Sequence, residues 1–587
     1  MRALLSPLTL LCVSAVFVAA APSQAQQNPQ TNASAGTANQ PAPAAALIEG
    51  TVTRASDGQP LKRARIMVMP QNDPRAMQGP QQGGRRRTYQ GSTDASGKFS
   101  IGNIEPGRYR LTVDRQGYVR AEYGQRAPGR PGAALTLDPG QKMRDLVFRL
   151  LDDGVITGRV TDEDGEPVIG GFVQVLRISY QRGQKQFVPT GGAQTNDKGE
   201  YRVFGLVPGR YFLSATASPQ AGGPGGGRDV RIINSGENFE EVYAPSYYPG
   251  THDPQNATAL PVGPGEELAG IDLSIAPQRA YRVRGRITPP PPSASAGPDA
   301  QREIQRRGGI QASLMRKTGS NGYSRAFAQQ ANVDFDQGTF EFRAVLPGSY
   351  VLHVFSMDGR RPITHREPLE VGRGDVEGVN IVMSAGNDIS GKVRVEGAAG
   401  MDMQRLRVQA MPEEDIAGGA MAAVTAESSF TLQGISPGQK HFISVQGLPP
   451  GFYMKSAKIG GEEISETGMP AAGKAGTLEI VMSANGGRIE GTVLDSENLA
   501  ATAVTVVLVP MGKRRENPYF YRTTLTDALG KFSLQGVPPG EYRIFAWDDV
   551  DSGAWQDPEF LAVYEERGTR VTVVEGAILA TDVKLIR

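Results

Sequence analysis

Cysteine is all but missing from this chain: Cys12 is the only one in 587 residues. It lies in an apolar N-terminal stretch, so nothing downstream can form a disulfide or a thiolate metal site, and any folded part must be held by packing. Histidine is nearly as scarce. His252, His353, His365 and His441 are far apart and show no HExxH or comparable ligand spacing, which leaves little material for a metallohydrolase or a nucleophile with its base. Net charge is lacking too: 62 Lys and Arg stand against 61 Asp and Glu, a formal +1, so no global field draws nucleic acid or an anionic bilayer. Arg85, Arg86 and Arg87 are a local exception, but they sit in a Gly- and Gln-rich stretch without interleaved aromatics and read as a solvated loop. Beyond the N-terminal segment no apolar run approaches the roughly 20 residues a membrane span needs.

The N-terminal segment has its own logic. Arg2, the mostly apolar run from Ala3 to Ala21, and Ser23-Gln24-Ala25 as a small-residue cleavage site read as an export signal over residues 1–25. Pro7 and Thr9 interrupt the run and Pro22 ends it, which speaks against a retained span, and Leu11 before Cys12 speaks against a lipid anchor. Residues 26–46, rich in Gln, Asn, Ala and Pro, are expected to form a disordered leader.

What the chain has in quantity is turn residues, 73 Gly and 42 Pro, spaced between β-branched and aromatic runs. That is the pattern of many short strands, and at this length it requires several cores. A five-residue signature, apolar-x-Gly-x-apolar, recurs at Ile48 to Val52, Ile156 to Val160, Val283 to Ile287, Ile389 to Val393 and Ile489 to Val493. A second signature follows each: TDASGKFSIGNIEPGRYRLTV from Thr93, TNDKGEYRVFGLVPGRYFLSA from Thr195, DFDQGTFEFRAVLPGSYVLHV from Asp334 and TDALGKFSLQGVPPGEYRIFA from Thr526. The fourth copy departs from it, with Ser428 in the Gly slot and Lys440-His441 at the Tyr. Asx and Gly predict a tight turn, Pro-Gly suits positions i+1 and i+2 of a type II turn, and the alternation after it predicts a half-buried strand. The implied plan is all-β: modules at 47–151, 152–279, 280–384, 385–484 and 485–587, each a two-sheet sandwich of six to eight strands. Junctions of four or five residues predict an elongated array with restricted bending.

These residues resemble the carboxypeptidase regulatory-like domain, a transthyretin-like, Ig-like β-sandwich module that shares its general fold with starch-binding-type carbohydrate modules and with collagen-adhesin B-type repeats. The resemblance covers residues 47–587. It implies a fold and leaves the task open, because one fold hosts unrelated jobs. Enzymes that carry this domain have a separate zinc-bearing catalytic domain. No histidine-glutamate pair precedes the β modules here, so peptidase activity is not carried over.

Three motifs invite a chemical reading that their surroundings remove. Gly434-Ile435-Ser436-Pro437-Gly438 matches GxSxG, but the equivalent turn holds Glu105, Val207, Leu346 and Pro538 elsewhere, and no helix follows as a nucleophile elbow requires. Gly468 to Lys474 approaches a phosphate loop but ends in Ala475, without the hydroxyl for magnesium. Asp162 to Gly165 and Asp334 to Gly338 cluster oxygens without the distal Glu of an EF-hand, and read as turn chemistry. A Lys, Asn and acid triad for an isopeptide bond is not found repeated in register. No metal, no cofactor and no enzymatic activity are expected.

Ligand candidates are the aromatic clusters. Trp547 and Trp555, the only tryptophans, lie in module five, where Tyr542, Ile544 and Ala546 should face inward and Phe545 and Trp547 the opposite way. Tyr519 and Tyr521 are candidate neighbours, with Asp548 and Asp549 as hydroxyl acceptors for a stacked sugar. The competing reading is a loop folded over Trp547 as a satellite core. Module two adds Tyr243, Tyr247 and Tyr248, with Phe239 and His252, either as a recognition loop or as a staple. The leading expectation is an exported, non-catalytic binding protein of a bacterial envelope that takes carbohydrate. The alternative is a structural or adhesive spacer contacting an envelope protein.

Overall fold

The computed structural model describes residues 44–71, 87–217, 230–235, 237–289, 309–318, 322–334, 337–358, 361–398, 400–414, 419–471 and 476–587. The expected export signal, Cys12, most of the leader, Arg85 and Arg86, residues 335–336 of the second acidic cluster, and the end of the phosphate-loop-like segment with Ala475 lie outside these residues. Ala46, at the end of the expected leader, is already buried in the first strand.

Each copy of the apolar-x-Gly-x-apolar signature is the central strand of a sheet. In module one, strand Ala46–Arg54 lies antiparallel to Lys98–Ile104, with Gly50 opposite Phe99, and parallel to the closing strand Lys142–Leu150, with Gly50 opposite Leu146. Strands Gly154–Thr161, Pro277–Thr288, Asn387–Glu396 and Gly487–Leu494 occupy the same place in modules two to five. The strand after Pro-Gly belongs to the facing sheet: in module one, Gly107–Asp114 pairs with Arg65–Pro70, which pairs in turn with Tyr89–Ser92. The inward faces enclose one apolar core per module. In module five the two sheets join, because the last strand, Val583–Ile586, pairs in parallel with both Gly487–Leu494 and Gly540–Trp547.

The recurring glycine and the recurring aromatic turn out to be one device. A Cβ on Gly50 would stand 2.3 Å from the Leu146 carbonyl oxygen and 2.8 Å from the Phe99 ring. The same crowding meets Gly158 (Ile271 oxygen, 2.1 Å; Tyr201 hydroxyl, 3.0 Å), Gly285 (Val379 oxygen, 2.0 Å; Phe340, 2.8 Å), Gly391 (Leu478 oxygen, 2.3 Å; Phe430, 2.4 Å) and Gly491 (Thr581 oxygen, 1.7 Å; Phe532, 3.1 Å). The aromatic from the neighbouring strand lies across the glycine, and the closing strand's backbone presses into the space a side chain would need. Two distant signatures therefore recur together because they touch.

The turn before the aromatic forms as the residue types predict. The Asp94 carboxylate accepts from the amides of Ser96 (2.8 Å) and Lys98 (2.9 Å), Asn196 from Lys198 and Glu200 (both 2.9 Å), and Asp527 from Leu529 (2.8 Å) and Lys531 (2.9 Å). Asp162 accepts from Asp164 and Glu166 in the same way, so its carboxylates serve a turn. Gly97, Gly199, Gly338 and Gly530 have φ of 66–74°, and Ser428 takes the same left-handed conformation at φ 64°. The preceding threonines fix this turn to the facing sheet: Thr93 accepts from Ala64 N (2.8 Å) and donates to Leu61 O (2.5 Å), and Thr526 does likewise with Val504 N and Ala501 O.

Pro-Gly behaves otherwise than predicted. Gly107, Gly348 and Gly540 have φ of 157°, 151° and 152°, far from the roughly +80° of a type II turn. They open the next strand in a conformation essentially restricted to glycine, and Gly438 of the divergent module alone among these has the turn-like φ of 79°. Modules one, two, three and five share a contact from the tyrosine two residues on, although Gly209 of module two has no positive φ. Its hydroxyl reaches back to the carbonyl preceding the proline: Tyr109 to Glu105 (2.7 Å), Tyr350 to Leu346 (2.8 Å), Tyr542 to Pro538 (2.8 Å), and Tyr211 to Val207. In module four strand register puts His441 in this slot, opposite Pro412 as Tyr109 is opposite Pro70 and Tyr542 opposite Pro510. Its Nδ1 lies 2.9 Å from the Gln439 carbonyl, and burial pushes its pKa down.

The modules follow one another in tandem, and contacts also cross between them. Hairpin Val230–Ser235 with Glu237–Tyr243, sequentially part of module two, extends the sheet of module three through pairing with Pro277–Thr288. Val242 and Ala244 form a small shared core there with Ala280, Ala344 and Leu346. The first two modules also touch the last: Arg126 and Arg130 pair with Asp548, Asp549 and Asp551, and Lys185 with Asp557 and Glu559.

Candidate functional site

Strand Gly540–Trp547 is buried on both faces. Tyr542, Ile544 and Ala546 enter the module-five core, and Phe545 and Trp547 enter a second cluster behind it, as the period-two alternation requires. The Phe545 and Trp547 rings stack 5.0 Å apart at 9°. Over them fold the single turn Ala554–Gln556, the short helix Pro558–Ala562 and the turn Glu565–Arg567. Asp557 caps the helix by accepting from Glu559 N (2.9 Å), and Pro558 stands at its first position. Phe560 and Tyr564 close on Trp547 at 6.0 and 5.8 Å. Trp547 is left 2% exposed and Trp555 8%, so neither offers a free face on which a sugar ring could stack.

The remaining candidates are engaged as well. Tyr521 is buried in the same cluster, its hydroxyl donating to Arg515 O (3.0 Å), and burial pushes its pKa up to about 12. Tyr519 is half-buried outside the cluster, its amide bonded to the Asn517 side chain (3.1 Å). Asp548 and Asp549, expected as sugar acceptors, are taken by Arg126 and Arg130 of module one. Of the two readings, these positions match the satellite core. The outward direction of Trp547 was legible, whereas the cover came from residues with no pattern of their own.

Module two's tyrosines act as a staple. Tyr247 is buried, in a short strand beside Ser214 and Ala215. Tyr243 and Tyr248 pack against the module core, and the Tyr243 hydroxyl lies 3.4 Å from the Glu163 carboxylate. His252 Nδ1 sits 3.2 Å from the Pro245 carbonyl. The Phe239 side chain lies outside the described residues. Ser436, the GxSxG serine, has its hydroxyl 2.5 Å from that of Thr364 in module three, a contact between modules.

An open surface lies elsewhere. The outer face of module two's signature sheet holds a depression of about 590 Å³ lined by Thr157, Arg159, Asn196, Glu200, Tyr201, Arg202 and Asp272. Beside it Phe204 is 64% exposed, with the Arg202 guanidinium 5.8 Å from its ring centre. Tyr201 closes the floor by donating to Ile271 O (2.5 Å), and burial raises its pKa. Sequence reasoning missed this face. The signal available was the alternation Glu200, Arg202, Phe204, which puts a large apolar ring on the wet side of a strand. No group of three or more His, Cys, Asp or Glu among the described residues is arranged to hold a metal, and no described helix is long and apolar enough to cross a membrane.

Residues 47–150 and 155–222 match the family model of the carboxypeptidase regulatory-like domain, so module one and a large part of module two hold that domain. Modules three to five lie outside the match and share with it the glycine-aromatic device described above. Among curated proteins nothing matches the chain. Solved structures similar to it include the minor pilin GBS52 of Streptococcus agalactiae, 13% identical with a TM-score of 0.21, covering 43% of this chain and 99% of that one. The TIE protein of Bacillus anthracis is 11% identical, TM-score 0.13, covering 93% and 73%. The shaft pilin SpaA of Lactobacillus rhamnosus GG is 11% identical, TM-score 0.19, covering 40% and 98%.

Proposed function

We propose that this chain is an exported, non-catalytic array of β-sandwich modules whose work is structural: it holds a fixed arrangement of sheet faces and loops and presents them to a protein partner in a bacterial envelope. The observation that supports this reading is the use made of the reactive and aromatic side chains. The tryptophans, the acidic residues of module five, Ser436 and the module-two tyrosines all serve packing within or between modules. Interfaces built from buried aromatics and paired charges suit a spacer, and an exposed loop or edge strand suits a partner. The test is capture from solubilised envelope with the purified chain as bait. Recovery of one specific protein at a stable ratio supports the reading, and turnover of any substrate by the purified chain defeats it.

Carbohydrate binding is a second reading, supported by exposed Phe204 beside the polar depression of module two. An exposed ring flanked by hydrogen-bonding groups suits stacking on a sugar. Titration of soluble glycans against the chain and its Phe204→Ala variant separates the two: binding lost in a still-folded variant favours the glycan, and no binding by either leaves the protein partner.

A further inference from the structure

Among the described residues, the ion pairs joining modules one and two to module five have one polarity. The N-terminal modules contribute the cations and module five the carboxylates: Arg126 to Asp548, Arg130 to Asp549 and to Asp551 (3.0 Å), Lys185 to Asp557 (3.4 Å) and to Glu559 (3.2 Å). These partners are more than 370 residues apart in sequence, so no turn or junction brings them together.

Their supports are also specialised. Arg126 and Arg130 lie on a loop between the short strand Ala121–Glu122 and Leu135–Leu137, and Gly132 donates to the Glu122 carboxylate to close its base (2.9 Å). Lys185 follows the tip of the long hairpin Phe172–Gln181 with Gln184–Gln194. At that tip Gly183 packs so tightly on the Gln556 backbone that a Cβ would meet its oxygen at 2.4 Å, while Tyr180 sets its ring 6.2 Å from Phe560. Arg182 donates to Pro412 O of module four (2.7 Å).

We infer that these groups form an ionic clasp, in which the acidic face of module five is a docking surface for the basic loop and hairpin of the chain's own first two modules, and that the clasp opens reversibly to uncover the Phe560 and Tyr564 edge of the satellite core. The pairs lie at the surface, where ionic attraction falls as the screening length shrinks from about 10 Å at 0.1 M salt to about 3 Å at 1 M. Beside the charges, Tyr180 packs on Phe560 and the hairpin tip on the Gln556 backbone; of these contacts the ionic ones are the part that salt weakens.

The only tryptophans sit under the clasp, Trp547 next to Asp548 and Trp555 two residues before Asp557, which makes their emission a direct reporter. The experiment follows tryptophan emission and the small-angle scattering radius of the chain across that salt range. It is repeated on Arg126→Asp/Arg130→Asp, on Asp548→Arg/Asp549→Arg, and on the fourfold variant that restores opposite charges. The expected result is a red shift and a larger radius on adding salt, the same change at low salt in each double variant, and a return to wild-type values in the fourfold variant. Salt-independent emission and radius in the wild type would overturn the clasp, as would double variants that stay closed, a fourfold variant that stays open, or a radius that depends on protein concentration and so reports pairing between copies. The wild-type salt series decides the matter even where a variant fails to fold.

Discussion

Gly491→Ala tests the glycine-aromatic device where it is tightest. The new Cβ would stand 1.7 Å from the Thr581 oxygen and 2.7 Å from its carbonyl carbon, where a comfortable carbon-to-oxygen approach is about 3.3 Å or more. The overlap of about 1.6 Å meets backbone on the closing strand, and no rotamer change relieves it. Shifting that strand parts Glu490 from Ala580 and Val493 from Val583, and breaks the Thr581 N to Glu490 O bond of 2.9 Å. Two or three backbone bonds at about 1 kcal/mol each, with an overpacking cost of about 1–3 kcal/mol, give a loss of about 3–6 kcal/mol in module five. Hydrogen exchange with peptide-level mass spectrometry reads this within the full chain. At about 1.4 kcal/mol per tenfold, module-five strand amides should exchange at least 100-fold faster, with those of modules one and three unchanged. Gly576→Ala is the control: its φ is 71° with nothing within 4 Å, so it should cost only the left-handed penalty of about 1–2 kcal/mol. If Gly491→Ala accelerates exchange no more than Gly576→Ala, the glycine signature is a matter of backbone conformation and the packing argument fails.

Ser428→Gly should stabilise module four by about 0.5–1 kcal/mol, since relief of a left-handed serine outweighs the added unfolded-state freedom; slower exchange of strand Ser429–Ile435 checks it. Tyr542→Phe removes the hydroxyl bond to Pro538 and leaves that carbonyl unpaired, so module five should lose about 1 kcal/mol by the same readout. Glu240 is buried, which by itself would raise its pKa, but the hydrogen bonds from Arg343 and Arg282 win and hold it below the usual carboxylate range. Its contribution to the junction of modules two and three is therefore complete above the unfolded pKa near 4.5, and is lost as pH falls through the lower folded value. Glu240→Gln should cost about 1.5–3 kcal/mol there at neutral pH and flatten the acid dependence of exchange in Pro277–Thr288. His441 has the opposite charge type with its folded pKa depressed: stability of module four is full above about 6.5 and declines as pH falls toward the folded pKa, a slope that His441→Gln should remove.

Much of the fold was legible because its determinants are local or repeat. The Asx turn before each aromatic needs only a side chain that bonds amides two and four residues on, and Asp94, Asn196 and Asp527 do so. Strand direction after Pro-Gly follows from alternation, which assigned Tyr542 and Ile544 to one core and Phe545 and Trp547 to the other face. Even the slot of His441 could be read, since the module around it keeps its register. The type II turn was misjudged because Pro-Gly admits more than one geometry, and in modules one, three and five the glycine opens the next strand instead.

By itself, then, the sequence determined that the chain repeats one β-sandwich five times, which face of each strand is apolar, and that packing rather than disulfides holds the modules. Only the tertiary structure decided what covers those faces. The outward aromatics of module five became a second core because a helix of five residues and a hairpin from module two close over them, and the acidic loop beside them found its partners in module one. Local pattern fixes where a side chain points, through the period of the backbone. What it meets there depends on contacts between residues hundreds of positions apart, for which a strand's alternation carries no information.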